Sequence, residues 1–362
     1  MLEFPRAFPA DAVEREIADV AAARAVLGAR LAPLDAALAR RRDDFAALLG
    51  DRSAAALYAC VEDAVRLAYA RLARRHGRLG GDFHAYHNEQ HALDLCDGRL
   101  GRVCATLGAH ALALRDWCAL LVFGAGHDLR QREAPLLHAG IGANERASAE
   151  ETQRILTACG VPPERDPELH LVIEIAIAGS TFDARVPRPG QAYNAADLVQ
   201  SGGALADRLD RTLDALAPRW RADAHFAHRL GLARIAADLD TANVAEPFAR
   251  FAQSGEDLCR EREMLAGRST AAADSALPVL GFLTDGQHRF FFELHRFLSE
   301  AGRAAFGAGK QANAPKLKAL AAGTRARLAV RGRPASGDDV IAAYRATLAD
   351  LCEVERGAGG AA

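Results

Sequence analysis

The chain is poor in the residues that staple, span or clasp. Its seven cysteines are Cys60, Cys96, Cys104, Cys118, Cys159, Cys259 and Cys352. They are odd in number and form no C-x-x-C pair, which excludes a disulfide framework and a cysteine zinc site and points to reduced thiols in a cytoplasm. Net charge over the 362 residues is only -2, so the basic footprint of a nucleic-acid binder is missing. Lysine is scarce, and the positive charge is nearly all arginine. No run of about eighteen apolar residues occurs, so no membrane span is expected. The opening stretch MLEFPRAFPADAVEREIADV lacks the apolar core of a signal peptide. Alternating runs of β-branched residues are absent as well, which argues against a sheet-built fold.

What remains is helix. Half the residues are hydrophobic (50%), and Ala, Leu and Arg dominate, a composition that favours α-structure. The length suits one large domain or two small ones. Helical spacing runs through 11–49, with Pro33 a break or the first turn of a second helix. A further helix fills 53–75 and stops at RRHGRLGG. Helices are expected through about 107, then at 114–129, 145–159, 167–178, 195–216, one or two over 224–264, 286–305, and two more before the GAGGAA tail. The expected fold is all-α: one compact multi-helix domain over 51–310, with an N-terminal helical extension (1–50) and C-terminal helices with a flexible tail (311–362).

Chemistry concentrates in a few short stretches. In YHNEQHALDL (86–95), His87 and His91 are four apart, which on a helix places them on one face, with Asp94 three further on. Such a pair alone is a weak signal. His127-Asp128 strengthens it. Neighbours on a helix point about 100° apart, so two can converge on one ion only where the helix ends or bends. Gly124 and Gly126 precede the pair, each disfavouring helix by about 1 kcal/mol and leaving room for another helix to approach. Imidazole with carboxylate suits Zn, Fe, Mn and similar ions. His91, His127 and Asp128 leave a fourth ligand to find. Asp197, in YNAADLVQSG, reads as an acid in the first turn of a helix capped by Asn194. Asp238, in ARIAADLDTAN, lies inside an apolar helix, where a buried carboxylate calls for a compensating cation. Asp238 is the preferred ligand and Asp197 the reserve.

YHNEQHALDL, then HDL, NERASAEE and IAADLD, then a glutamine before an aromatic helix, resemble the catalytic domain of the cyclic nucleotide phosphodiesterases within the HD-domain metallohydrolases. The first motif is the most specific, with Leu95 in place of the family's valine, and the order holds over about residues 80–300. LVIEIAIAGS and PFARFAQSGEDLCREREM are similar to further family segments. The resemblance implies that His91, His127, Asp128 and Asp238 hold one divalent metal (Zn, Mn, Mg or Fe) and that Asp128 bridges to a second. It makes His87 the general acid and places Glu151, three after Ser148, near the second metal and its waters. Gln287 would read a purine edge and Phe290 would stack on the base, with Tyr86 also in the substrate site. In one departure, the family's histidine three residues after the HD aspartate is Gln131 here, with His138 a candidate to replace it.

The implied function is hydrolysis of a purine nucleotide phosphoester, foremost a 3′,5′-cyclic one, by a metal-activated hydroxide with His87 donating to the leaving oxygen. The alternatives are a phosphohydrolase of another nucleotide or of a nucleotide-modified substrate, and a nucleotide-binding domain without turnover. The expected partner is a small-molecule nucleotide, not a nucleic acid or a membrane.

Overall fold

A computed structural model describes residues 7–133, 142–180, 182–184, 199–204, 209, 213–214, 219–223 and 225–359. Helices dominate, as the composition predicts. In chain order they are α1 (Ala12–Glu16), α2 (Val20–Leu27), α3 (Ala32–Asp44), α4 (Arg52–Arg75), α5 (Glu89–Asp94), α6 (Leu100–Leu107), α7 (Leu114–Gly126), α8 (Ala143–Ala158), α9 (Pro167–Ser180), α10 (Phe226–Asp240), α11 (Phe248–Leu265), α12 (Ala276–Gly281), α13 (Gln287–Arg289), α14 (Glu300–Arg331) and α15 (Gly337–Gly359). A π-helical turn, Leu95–Arg99, joins α5 to α6. Pro33 sits in the first turn of α3, where its missing N–H removes no hydrogen bond.

Two of the expected helices are altered in the structure. Val199–Ala204, inside the helix expected at 195–216, instead forms β2, paired with β1 (Phe182–Ala184) in a two-stranded sheet. Consecutive glycines at 202 and 203 weaken a helix there. The helix expected at 286–305 is interrupted: helical turns end at Leu294, His295 is extended, and α14 begins at Glu300. Among the described residues, no helix is long and apolar enough to cross a membrane. All seven cysteines are free thiols.

The chain divides into two units. The first comprises Met1–Phe182, Ala204–Asp240 and Phe297–Ala305; the second comprises Asp183–Gly203, Thr241–Arg296 and Phe306–Ala362. In the first, every residue of α7 from Asp116 to Gly126 is buried, the mark of a central helix enclosed on all sides. It packs against α4, α5, α8, α9 and α10. Gly126 is required by this packing, because a Cβ there would lie 2.5 Å from Thr152 Oγ1 of α8. The small residues before His127 thus let α8 approach the end of α7. In the second unit, α15 packs on α11 and α12, around buried Phe251, Phe291 and Tyr344.

Candidate metal centre

The first unit builds its site from three helix ends. α5 begins at Asn88, whose side chain accepts from Gln90 N at 2.8 Å and donates to His84 O at 2.7 Å. Such a cap is worth about 1 kcal/mol, and here it also ties down the turn that carries Tyr86 and His87. His91 follows in the first turn of α5. His87 is therefore not on the same helix as His91; it lies in the bend before it, with the two rings 5.9 Å apart. Tyr86 is tilted against His91, ring centroids 4.7 Å apart. Burial pushes the Tyr86 phenol pKa up, so the group stays protonated.

α7 ends at His127, and Asp128 follows in the turn, so the neighbouring pair converges because the helix stops. α10 ends at Asp240. Arg99, buried in the π-helical turn, donates to the carbonyls of Leu239 and Asp240 at 3.0 and 2.6 Å and holds that end in place.

His91, His127, Asp128 and Asp240 bring ligand atoms together. His91 Nε2 lies 3.1 Å from Asp240 Oδ1 and 3.6 Å from Asp128 Oδ2; His127 Nε2 lies 3.4 and 3.1 Å from the same two oxygens. Donors about 2.0–2.2 Å from a common ion stand roughly 3–3.6 Å from one another, so these separations match a coordination sphere. His127 Nδ1 faces Phe123 O at 3.1 Å and can donate to it, which leaves Nε2 as the nitrogen turned toward the carboxylates. Nε2 of His127 and Oδ2 of Asp128 are buried and make no hydrogen bond, the condition a cation would relieve.

The electrostatics agree. Burial opposes the charged form of His127, but Asp128 and Asp240 outweigh it and raise its pKa well above the ordinary value. Burial alone would raise Asp128; His127 and His87 instead hold it at about 2. The same contest leaves Asp240 far below the carboxylate range. Two carboxylates and one proton make a negative pocket that a divalent cation would balance.

Asp240, not Asp238, completes this cluster. Residues two apart on a helix point about 200° apart, so both cannot face the histidines. Asp238 accepts from Leu298 N, Ser299 N and Ser299 Oγ at 2.7, 2.8 and 2.6 Å. Three hydrogen-bond donors, rather than a cation, compensate this buried carboxylate, and burial pushes its pKa up to about 6.

Glu151 is also placed elsewhere. It is fully buried among arginines, 3.4 Å from Arg71 Nη1 and 3.0 Å from Arg75 Nη2. Glu14 of α1 joins the same network through Arg71, Arg130 and Arg154. The acid of α8 whose titration Asp128 influences is Glu145, in its first turn. Burial, with Asp128 adding to it, pushes its pKa up to about 7. Gln287 and Phe290 belong to the second unit. There Gln287 is buried beside Gly255 of α11, and the Phe290 ring is 5.4 Å from that of His295. Asp197 and His138 lie outside the described residues.

A second group, His76, Asp82 and His84, also gathers ligand atoms. His76 Nδ1 and His84 Nε2 lie 3.3 and 3.2 Å from Asp82 Oδ2. His76 Nε2, however, accepts the backbone N–H of Gln131 at 3.2 Å. The neutral ring must then carry its proton on Nδ1, the atom a metal would need. Arg132 takes both Asp82 oxygens at 3.0 and 2.6 Å. This group is an ion pair with two imidazoles attached.

No protein-family model matches the chain, and no curated protein matches it.

Proposed function

We propose that the chain is an HD-type metal-dependent phosphohydrolase that cleaves a nucleotide phosphoester, with 3′,5′-cyclic purine nucleotides the first substrates to test. The observation that carries the reading is the convergence of His91, His127, Asp128 and Asp240 to 3.1–3.6 Å, with a further histidine beside them. When bound, a divalent ion supplies Lewis acidity toward a phosphoryl oxygen and acidifies a coordinated water.

The chain's own residues do the rest. The two carboxylates hold the ion and keep 13% side-chain exposure each, whereas the histidines are nearly sealed, so substrate enters over the carboxylate side. His87, half-buried and sharing the charge field of Asp128, donates a proton from its imidazole to the leaving oxygen. Gln287 and Phe290 lie in the second unit, and the purine base is an expectation of the resemblance alone.

The test is a panel of cyclic nucleotides, nucleoside monophosphates and linear phosphodiesters, assayed with purified protein in Mn²⁺ or Mg²⁺. Ring opening of a purine cyclic nucleotide that is lost in Asp240→Ala supports the reading. Release from monophosphates or linear esters alone keeps the hydrolase but moves the substrate. A metal-loaded protein inert on the whole panel overturns it.

A further inference from the structure

We propose that Lys310 is a reactive amine, a site at which the chain takes up an acyl group from a small activated donor such as an acyl phosphate. The site lies wholly within the second unit and is independent of the metal centre.

The sequence singles out the residue type. The chain has three lysines against 42 arginines, and all three, Lys310, Lys316 and Lys318, lie on α14. Packing fixes the stretch of helix that carries Lys310. A Cβ at Gly309 would lie 2.5 Å from Ala245 O, and Asn313 Nδ2 donates to the carbonyls of Val244 and Glu246 at 2.9 and 2.8 Å.

What marks Lys310 is the company of its amine. Half-buried, it donates to His295 O at 2.7 Å and to His295 Nδ1 at 3.0 Å, and it stands 5.0 Å from the centre of the Phe291 ring. Burial and the charge of Lys310 bring the His295 pKa down to about 3, so that ring is neutral. With Nδ1 accepting, its proton sits on Nε2, 3.1 Å from Thr241 Oγ1. The carboxylates on the flanking segments, 241–246 and 290–295, are Glu246 and Glu293. Neither is paired with Lys310 among the ion pairs of the described residues. Burial without a counter-charge brings the Lys310 pKa down to about 8. Roughly 10% of the amine is then neutral at pH 7, against about 0.03% for an unperturbed lysine. A desolvated lysine of this kind is a nucleophile. Losing the proton costs no contact, because the neutral amine keeps two N–H groups for the two His295 acceptors and gains a lone pair.

The Nζ lone pair attacks the acyl carbon. The C–N bond forms, the bond from that carbon to the phosphate oxygen breaks, phosphate leaves with the electron pair, and the displaced Nζ proton passes to solvent. The amide product has no charge and a single N–H. Lys310 then keeps at most one bond to His295, and the ring loses the cation that helps to hold its pKa down.

The experiment treats the full chain with acetyl phosphate from about pH 6 to about pH 11 and follows each lysine by tandem mass spectrometry, with Lys316 and Lys318 as references on the same helix. At pH 7 Lys310 should take up acetyl about tenfold faster than either, and its rate should level off above about pH 9. Denaturing urea should erase the preference. In the acetylated protein, NMR should show His295 titrating at a higher pH than in wild type. Equal labelling of the three lysines, no label on Lys310, a Lys310 rate still climbing beyond about pH 10, or a preference that survives urea overturns the proposal.

Discussion

Two groups in the first unit are built from the same parts at the same spacing. His91, His127, Asp128 and Asp240 stand 3.1–3.6 Å apart across their histidine–carboxylate edges; His76, Asp82 and His84 stand 3.2–3.3 Å apart across theirs. Distance does not separate them. Protons do. His127 presents its Nδ1 side to a backbone carbonyl, so Nε2, facing the two carboxylates, is the nitrogen that could exchange its proton for a cation. His76 spends its lone pair on Gln131 N–H, so its neutral ring carries the proton on Nδ1, 3.3 Å from Asp82 Oδ2. Asp82 is also neutralised by Arg132, whereas no arginine is paired with Asp128 or Asp240 among the ion pairs of the described residues. A candidate ligand set is judged by what the far side of each ring is doing.

The sharpest way to break this contrast is Asp240→Ala. Metal content and hydrolysis should both vanish, while His84→Ala should keep its metal; mass-spectrometric metal analysis distinguishes them, and the reverse pattern would exchange the two groups. Next in size, His87→Ala should lower turnover by roughly 10²- to 10⁴-fold with the ion still bound. Loss of the ion would make His87 a ligand.

The acid response comes third. His76 has its folded pKa lowered to about 4 by burial and by the charges of His84 and Arg75, against 6.5 unperturbed. The unfolded chain therefore takes up the proton first as pH falls. The stability present above pH 6.5 is lost progressively down to about pH 4, by at most about 3 kcal/mol. Urea unfolding between these pH values should show a shallower acid loss in His76→Asn, which removes the titrating group; an unchanged slope would place the proton elsewhere. The smallest effect is expected of Asp238→Asn: about 1–3 kcal/mol of stability from mismatched donors, with metal content unaltered.

Much of this was legible in the residues. Helical spacing and the absence of β-alternation gave the all-α class, and GAGHD marked a helix that ends against a close neighbour. Asp240, the fourth member of the cluster, escapes any reading that treats burial as the sign of a metal. Asp238 is buried, yet Ser299 and Leu298 satisfy it from sixty residues away, a contact no local pattern announces. The rule applied to His127-Asp128, that convergence happens where a helix stops, would have favoured Asp240, the last residue of α10. Glu151 illustrates the same difficulty. Its role depends on arginines from α4 and from the loop after α7, which only the fold brings together. Glu145 had a local signal: it precedes the rest of NERASAEE at the start of a helix, where an acid can sit over the helix terminus.

Glu14 lies in the amino-terminal segment, yet three arginines bind it; two of them, Arg71 and Arg130, also pair with Glu151, and Arg130 is two residues past Asp128. A fragment starting at residue 51 would strip those guanidinium groups of a shared counter-charge deep in the molecule, right beside the turn that carries a ligand. Anyone trimming this protein should cut ahead of Ala7, because the first helix steadies, through Arg130, the turn that presents Asp128.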